Sequence, residues 1–365
     1  MPKLPELRQS IDALDDQLLG LLNERARLVK EVGALKSATG GQFYVPDRER
    51  QIVERLQDAN AGPFPTEAVR AVFSEIISAC LSLEHPLRVA FFGPEATFTH
   101  MAARTRFGLS ARYVPAATIA GVFAEVERGL ADLGVVPIEN STEGVVNSTL
   151  DMFMDSGLTI SAEIVLRVSH CLLSRNGTLD GIQKVYSHPQ ALAQCRGWLS
   201  ANLPANKTAL IEVASTALAA RLAKDDPVAA AVASELAGHL YDLRVVKAKI
   251  EDEVNNETRF LVIGREPAVR TGRDKTSLML SVKDQAGVLY KVLEPLAVNG
   301  INLTRIESRP SRKRAWDYVF FVDLEGHVSD APVARAIKAL AGACEHVKVL
   351  GSYPRVDAPA DGPAQ

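Results

Sequence analysis

The 365-residue sequence predicts three segments of different fold class: an all-α segment, an α/β segment with room for two lobes and an α+β ferredoxin-like segment. Three observations predict them. An apolar stripe at helical spacing runs almost unbroken over residues 4–36. Short apolar strands then alternate with helices from Arg88 to about Glu266. From Lys275 to Tyr353 the order becomes strand, helix, strand, strand, helix, strand. The chain is also longer than one hydrophobic core ordinarily supports. Expected boundaries are 1–86, 87–267, a linker at 268–275, 276–355, and a disordered tail at 356–365.

Composition excludes several classes. With 47% apolar and 23% charged residues and a net charge of −3, the chain lacks the basic footprint of a nucleic-acid surface. No apolar run approaches the roughly 20 residues that span a bilayer. The opening MPKLPELRQSIDALDD lacks a charged-then-apolar secretion pattern. Cys80, Cys171, Cys195 and Cys344 form no C-x-x-C pair and no His-spaced set, so neither a disulfide framework nor a zinc site is expected. With no phosphate loop, dinucleotide fingerprint or metal-ligand spacing, no metal and no organic cofactor is expected. A reduced, cytoplasmic setting is the simplest reading.

In the first segment Leu4, Leu7, Ile11, Leu14, Leu18, Leu21, Arg25, Leu28, Val32 and Leu35 follow steps of three and four throughout. At 1.5 Å per residue the stripe is ~48 Å long. A second helix starts near Pro46, and a third follows a cap-like Thr66 and ends before Pro86. One long and two shorter helices make a poor monomeric core, so dimerisation through the stripe is expected. Arg25 occupies a stripe position that otherwise holds an apolar residue. It is either half of an interhelical ion pair or a ligand for an anion. Lys36 lies three turns on, near the same face, and the two could converge on one small anion. Arg8 is ~25 Å from Arg25 along the axis, so it reaches the same ligand only from a second, antiparallel chain. Glu84 sits on the apolar face of the third helix, where loss of water favours the neutral acid.

In the second segment each strand leads into Ser or Thr and then a helix, a mostly parallel α/β pattern with many helix N-termini able to hold anions. These N-termini are expected at Thr97–Thr99, Ser141 and Ser187. The polar run NNETRF, residues 255–260, opens directly into Phe260-Leu261-Val262-Ile263, which reads as a strand buried on both faces. A turn explains Asn255 and Asn256. Thr258 and Arg259 are either ordinary strand-entry residues or members of a site.

Residues 4–84 resemble the all-helical class of chorismate mutase in Leu7-Arg8, Asn23-Glu24-Arg25, Leu35-Lys36, Asp47-Arg48-Glu49-Arg50 and Cys80…Glu84. The resemblance implies two intertwined chains sharing each site. Arg25 and the partner's Arg8 would hold two carboxylates, Lys36 and Glu84 the ether oxygen, and Glu49 with Arg48 the hydroxyl. Cys80 and Val45 depart from a serine and an aspartate found in some members, and Glu84 from a glutamine. Only protonated Glu84 could donate to the ether oxygen.

Residues 88–266 resemble prephenate dehydratase, a two-lobed fold like the type II periplasmic binding proteins. The matches are Gly93-Pro94-Glu95-Ala96-Thr97-Phe98-Thr99-His100, Val136-Pro137-Ile138-Glu139-Asn140-Ser141, Ser187-His188-Pro189-Gln190 and Asn256-Glu257-Thr258-Arg259-Phe260. Ala96 replaces a common glycine. The resemblance implies a cleft in which Thr258 donates to the leaving hydroxyl. Thr97, Thr99, Asn140, Ser141, Ser187, His188, Asn256 and Arg259 would bind substrate.

Residues 276–354 resemble the ACT regulatory domain through Gly287-Val288-Leu289 and Glu307-Ser308-Arg309-Pro310, which would surround an allosteric site for phenylalanine at an interface. The three together imply a homodimer, or a higher oligomer, that acts on chorismate and prephenate and answers to L-phenylalanine. Nucleic acid and membrane are not among the implied partners. Alternatives are a non-catalytic amino-acid sensor and a dehydratase preferring arogenate.

Overall fold

The computed structural model describes residues 3–39, 46–204, 206–253, 255–283, 285–310 and 318–356. Val45 and the expected tail beyond Val356 lie outside them. The chain divides into two compact units, Met1–Arg88 with Arg104–Arg112, and Val89–Ala103 with Tyr113–Gln365.

The helical unit contains α1 (Leu4–Thr39), α2 (Pro46–Asp58) and α3 (Thr66–Glu84). Glu6 in the first turn of α1 and Lys36 in its last suit the helix dipole. Thr66 is not the cap of α3. The cap position is Pro65, whose ring has no hydrogen-bonding group to offer, and the Thr66 hydroxyl instead accepts from Asn60. Gly33 is the one buried residue of α1. A Cβ there would lie 2.9 Å from Cγ and 3.0 Å from Cβ of Glu84, so glycine is what lets α1 and α3 approach at that level. The apolar stripe stays uncovered in the single chain, with Leu4, Ile11, Leu14, Leu18, Leu21, Leu28 and Leu35 all exposed.

The next elements are β1 (Arg88–Phe92), α4 (Phe98–Phe107), β2 (Arg112–Ala116), α5 (Ile119–Glu127), β3 (Leu133–Asn140), β4 (Gly144–Val145), α6 (Asn147–Asp155) and β5 (Thr159–Arg167). Then follow β6 (Cys171–Ser174), β7 (Lys184–Ser187), α7 (Pro189–Gln194), α8 (Arg196–Asn202), β8 (Ala209–Glu212), α9 (Thr216–Asp225), β9 (Ala229–Ala233), α10 (Glu235–Tyr241), β10 (Arg244–Lys247) and β11 (Glu257–Gly264). They build one sheet of order β2-β1-β3-β11-β5, with β4 on β3, and a second of order β10-β6-β9-β7-β8. These are the two lobes. Thr118, Ser215 and Ser234 cap α5, α9 and α10 with their side chains, as the strand–Ser/Thr–helix pattern implied.

The sheets are mixed rather than mostly parallel. β1–β3, β7–β8 and β7–β9 are parallel, but β11 runs antiparallel to both β3 and β5, and β6 antiparallel to β9 and β10. The cause is the return of the chain. After completing the second sheet it re-enters the first as β11, between strands already laid down in the other direction. Phe260, Leu261, Val262 and Ile263 are all buried there, as the apolar run predicted.

The last elements are β12 (Asp274–Val282), α11 (Val288–Val298), β13 (Leu303–Pro310), β14 (Tyr318–Glu325), α12 (Ala331–Ala343) and β15 (His346–Pro354). This is the expected ferredoxin-like order, with a sheet of order β13-β14-β12-β15. One face of that sheet carries Met279, Val319, Phe321, Leu350 and Tyr353 into a single core with Ile160, Leu261 and Ile263 of the α/β segment. A Cβ on Gly351 would overlap the Ile160 carbonyl, so β15 lies against β5 with no room for a side chain.

Candidate active sites

In the helical unit α1 and α3 bring Lys36 and Glu84 together. Lys36 Nζ donates to Glu84 Oε2 at 3.3 Å, and the Glu84 side chain is 6% exposed. Oε2 of Glu84 is thus a hydrogen-bond acceptor for the Lys36 cation. Nearer the middle of α1, Arg25 keeps its Nη1 buried with no hydrogen-bond partner among the described residues. A desolvated guanidinium nitrogen without an acceptor is costly, and an anionic ligand would relieve it. Cys80 is buried and Arg48 and Arg8 are exposed. Glu49 is engaged elsewhere: Arg106 approaches its Oε2 at 3.5 Å and Ser74 hydrogen-bonds it. Burial pushes the Glu49 carboxyl above its usual range, and Arg106, Ser74 and Arg70 only partly offset this.

In the α/β segment, pairing of β3 with β11 sets Thr258 opposite Asn140 and Arg259 opposite Glu139. Two motifs more than a hundred residues apart therefore meet by backbone register. Asn140 Nδ2 donates to Thr258 Oγ1 at 2.7 Å and to Asn256 Oδ1 at 2.8 Å. Ser141 does not begin a helix. It lies in the turn before β4, where its hydroxyl donates to the Asn255 carbonyl and accepts from Glu257 N–H, pinning the mouth of β11. Ser187 is fully buried and donates to the Val232 carbonyl, so its hydroxyl is spent on packing two strands. The cap of α7 is His188, whose Nδ1 accepts from Gln190 N–H. Thr97 Oγ1 donates to the Pro94 carbonyl and accepts from His100 N–H, while Thr99 is buried inside α4. Ala96 takes φ +70°, the left-handed region that glycine adopts without cost.

Arg259 turns away from this cluster. Its guanidinium meets Glu139 at 3.0 Å, Glu163 at 3.2 Å and Asp323 of β14 at 3.2 Å. Burial disfavours its charge, but Asp323 and Glu163 outweigh burial and hold it protonated above the usual arginine range. Lys275 adds a second cation on Glu163 at 2.9 Å, and Arg305 of β13 a third on Glu139 at 3.4 Å. Neighbouring strand residues face opposite ways, so Thr258 and Arg259 serve different neighbours. Sequence pattern could not single out Glu163, Lys275 or Asp323. A lysine or aspartate at the end of a strand reads as solvent-facing until the sheet packed on it is known.

In the C-terminal segment Gly287, at φ +79°, caps α11, with Val288 half-buried and Leu289 exposed behind it. Along β13 Glu307 and Arg309 are half-buried, Ser308 and Pro310 exposed, and Arg309 pairs with Asp151 of α6 at 3.0 Å.

A helical unit with a guanidinium nitrogen unsatisfied among the described residues, a two-lobed segment with a hydroxyl–amide cluster and a ferredoxin-like sandwich together define a multidomain enzyme for small carboxylates. Family models match in the same order: chorismate mutase type II over residues 7–85, prephenate dehydratase over 89–268 and the ACT domain over 276–342. The bifunctional chorismate mutase/prephenate dehydratase of Aquifex aeolicus is 52% identical over 97% of this chain and 99% of its own. The prephenate dehydratase of Arthrobacter aurescens, solved in complex with L-Phe, is 34% identical over 74% of this chain and 90% of its own, with a TM-score of 0.67. A structure described as GqqA, a novel type of quorum quenching acylase, is 33% identical over 74% of this chain and 98% of its own, with a TM-score of 0.68. The chain belongs to the bifunctional chorismate mutase/prephenate dehydratase family.

Proposed function

We propose that the chain rearranges chorismate to prephenate in its helical unit and converts prephenate to phenylpyruvate between the two lobes, for phenylalanine synthesis under feedback by L-phenylalanine. The first step is pericyclic and needs no nucleophile. Holding the two carboxylates and donating to the ether oxygen as its charge develops is sufficient. Arg25, with its orphaned nitrogen, and Lys36 supply charge for this. Because Lys36 already donates to Glu84, the lysine is the donor to the ether oxygen and Glu84 orients it. Arg8 of a second copy completes the carboxylate clamp, which the uncovered leucine stripe of α1 supports, and the working unit is a homodimer at least. The working setting is the cytoplasm.

In the second step the bond from the ring to its carboxylate breaks and releases CO2. The electron pair enters the ring, and the 4-hydroxyl leaves with one proton as water. The observation that carries this reading is the Asn140–Thr258 hydrogen bond. Asn140 Nδ2 can only donate, so the Thr258 oxygen accepts there and its own hydrogen is left to point at the leaving hydroxyl. A threonine is a weak acid, so positioning outweighs proton-transfer strength. Bound L-Phe in the Arthrobacter aurescens relative and the ACT domain here support the effector. The test is to feed purified protein chorismate and follow phenylpyruvate. Thr258→Ala is expected to accumulate prephenate with the mutase rate intact, and loss of both rates would count against the assignment.

A further inference from the structure

We infer that His170, Gln194 and Thr142 form a one-directional hydrogen-bond chain that orients Asn140 and through it Thr258, with Thr142 and His170 as positioning residues. This rests on the reading of Thr258 as the donor to the leaving hydroxyl.

The direction follows from atoms whose roles are fixed. The backbone N–H groups of Thr142 and Glu143 lie 3.0 and 3.1 Å from one side-chain atom of Asn140. Backbone N–H can only donate, so that atom is Oδ1, and the amide nitrogen must face Asn256 and Thr258. Thr142 Oγ1 is 2.6 Å from the same Oδ1, so its hydroxyl donates there. Its lone pair then accepts from Gln194 Nε2 at 3.2 Å. Gln194 consequently turns Oε1 toward His170 Nε2 at 2.9 Å, and that ring nitrogen carries the hydrogen. His170 Nδ1 is left as a bare acceptor, and it is buried with no partner among the described residues. The ring is 2% exposed and packs edge-on against Phe98, centroids 5.4 Å apart. Burial lowers the His170 pKa, with Gln194 and Glu251 opposing, so the imidazole stays neutral and the chain has one fixed start.

Every donor in the series therefore points toward Thr258. Hydrogen bonds strung in one direction polarise each other, which makes the terminal hydroxyl a better donor than an isolated threonine. The chain also crosses the cleft. Thr142 follows β3 in the first lobe, whereas Gln194 ends α7 and His170 precedes β6 in the second. Ser234 of the second lobe donates to the Ala96 carbonyl of the first at 3.0 Å, a further tie across the same gap. Thr258 is thus fully prepared only when the lobes are in register.

The test uses the full-length protein with prephenate as substrate, the mutase rate serving as the control for folding. Thr142→Val keeps the side-chain shape and removes the hydroxyl. It is expected to lower dehydratase kcat about tenfold with KM unchanged, while Thr142→Ser stays within about threefold of the parent. His170→Phe keeps a ring and removes the donor, and it should reproduce part of the loss. The double variant should be no worse than Thr142→Val alone, because both changes break one chain. Additive losses, a raised KM with unchanged kcat, or a Thr142→Val enzyme equal to the parent would each overturn the inference. If Thr258→Ala also keeps full dehydratase activity, the reading beneath fails. If Thr258→Ala is inactive and Thr142→Val is not, the chain alone is wrong.

Discussion

Replacing Arg259 by methionine removes one charge while keeping most of the side-chain length. Three cations, Arg259, Lys275 and Arg305, balance three carboxylates, Glu139, Glu163 and Asp323. With methionine one carboxylate is in excess. Glu163, 1% exposed, keeps Lys275, and Glu139, 33% exposed, keeps Arg305 and solvent. Among the described residues Asp323, 9% exposed, keeps only the Ser277 hydroxyl at 2.6 Å. Breaking a buried pair by deleting one partner costs about 3–5 kcal/mol, and the partial exposure of Arg259 and Glu139 points to the lower end, about 3 kcal/mol. For a domain of this size that is a fall in Tm of roughly 6–12 °C. Calorimetry of the full chain reads it, and dehydratase activity should fall with the mutase rate retained. Adding Asp323→Asn should recover much of the loss, because it removes the stranded charge. A Tm within about 2 °C of the parent, or no recovery in the double variant, would refute the reasoning.

Gly33→Ala should cost about 1–3 kcal/mol through overpacking, because the new methyl meets Glu84 at 2.9 Å, and it should lower the mutase rate by shifting Glu84 from Lys36. Urea midpoints and mutase assays check both, and an unchanged midpoint would contradict the close approach of α1 and α3. Glu49 has a raised folded pKa, so its contribution to stability is present below its unfolded value of about 4.5 and is lost as pH rises through the folded value. Glu49→Gln should therefore flatten the decline of stability as pH rises from about 4.5 through the folded value, measured by urea titration, and a steeper decline would mean the sign is wrong. Leu18→Glu, in the middle of the exposed stripe, should give a monomer by sedimentation and remove mutase activity. A dimer with full activity would show that α1 is not the interface.

How much of this was legible in the residues differs by site. The leucine stripe located α1 to within a turn at its C-terminal end, because helical periodicity is a local signal. Asn140 and Thr258 were placed at one site only by the family resemblance, since register between β3 and β11 is settled by the return path of the chain. Ser141 and Ser187 were misjudged because a hydroxyl after a strand can cap a helix or tie two strands, and burial decides between them. Gly33 left a faint trace: glycine inside a long helix costs about 1 kcal/mol relative to alanine, which suggests a close neighbour without naming it. Thr142, Gln194 and His170 left none. Each is ordinary in its own segment, and only the approach of the two lobes sets them in line.

NNETRF shows the same division within one strand. Along β11 Leu261 and Ile263 share the face of Arg259 and enter the core common to the α/β and ferredoxin-like segments, whereas Thr258 and Phe260 occupy the other face. Thr258 and Arg259 are joined by one peptide bond and pair with the adjacent residues Asn140 and Glu139 of β3. Glu139 in turn holds Arg305, two residues before the Glu307–Pro310 run on β13. A displacement of β13 or β14 that moved Arg305 or Asp323 would therefore pull on the backbone that sets the Asn140–Thr258 distance of 2.7 Å. Hydrogen bonds of that length weaken steeply with misalignment. The ion network at the sheet junction and the Asn140–Thr258 hydrogen bond are separated by one peptide bond on each strand.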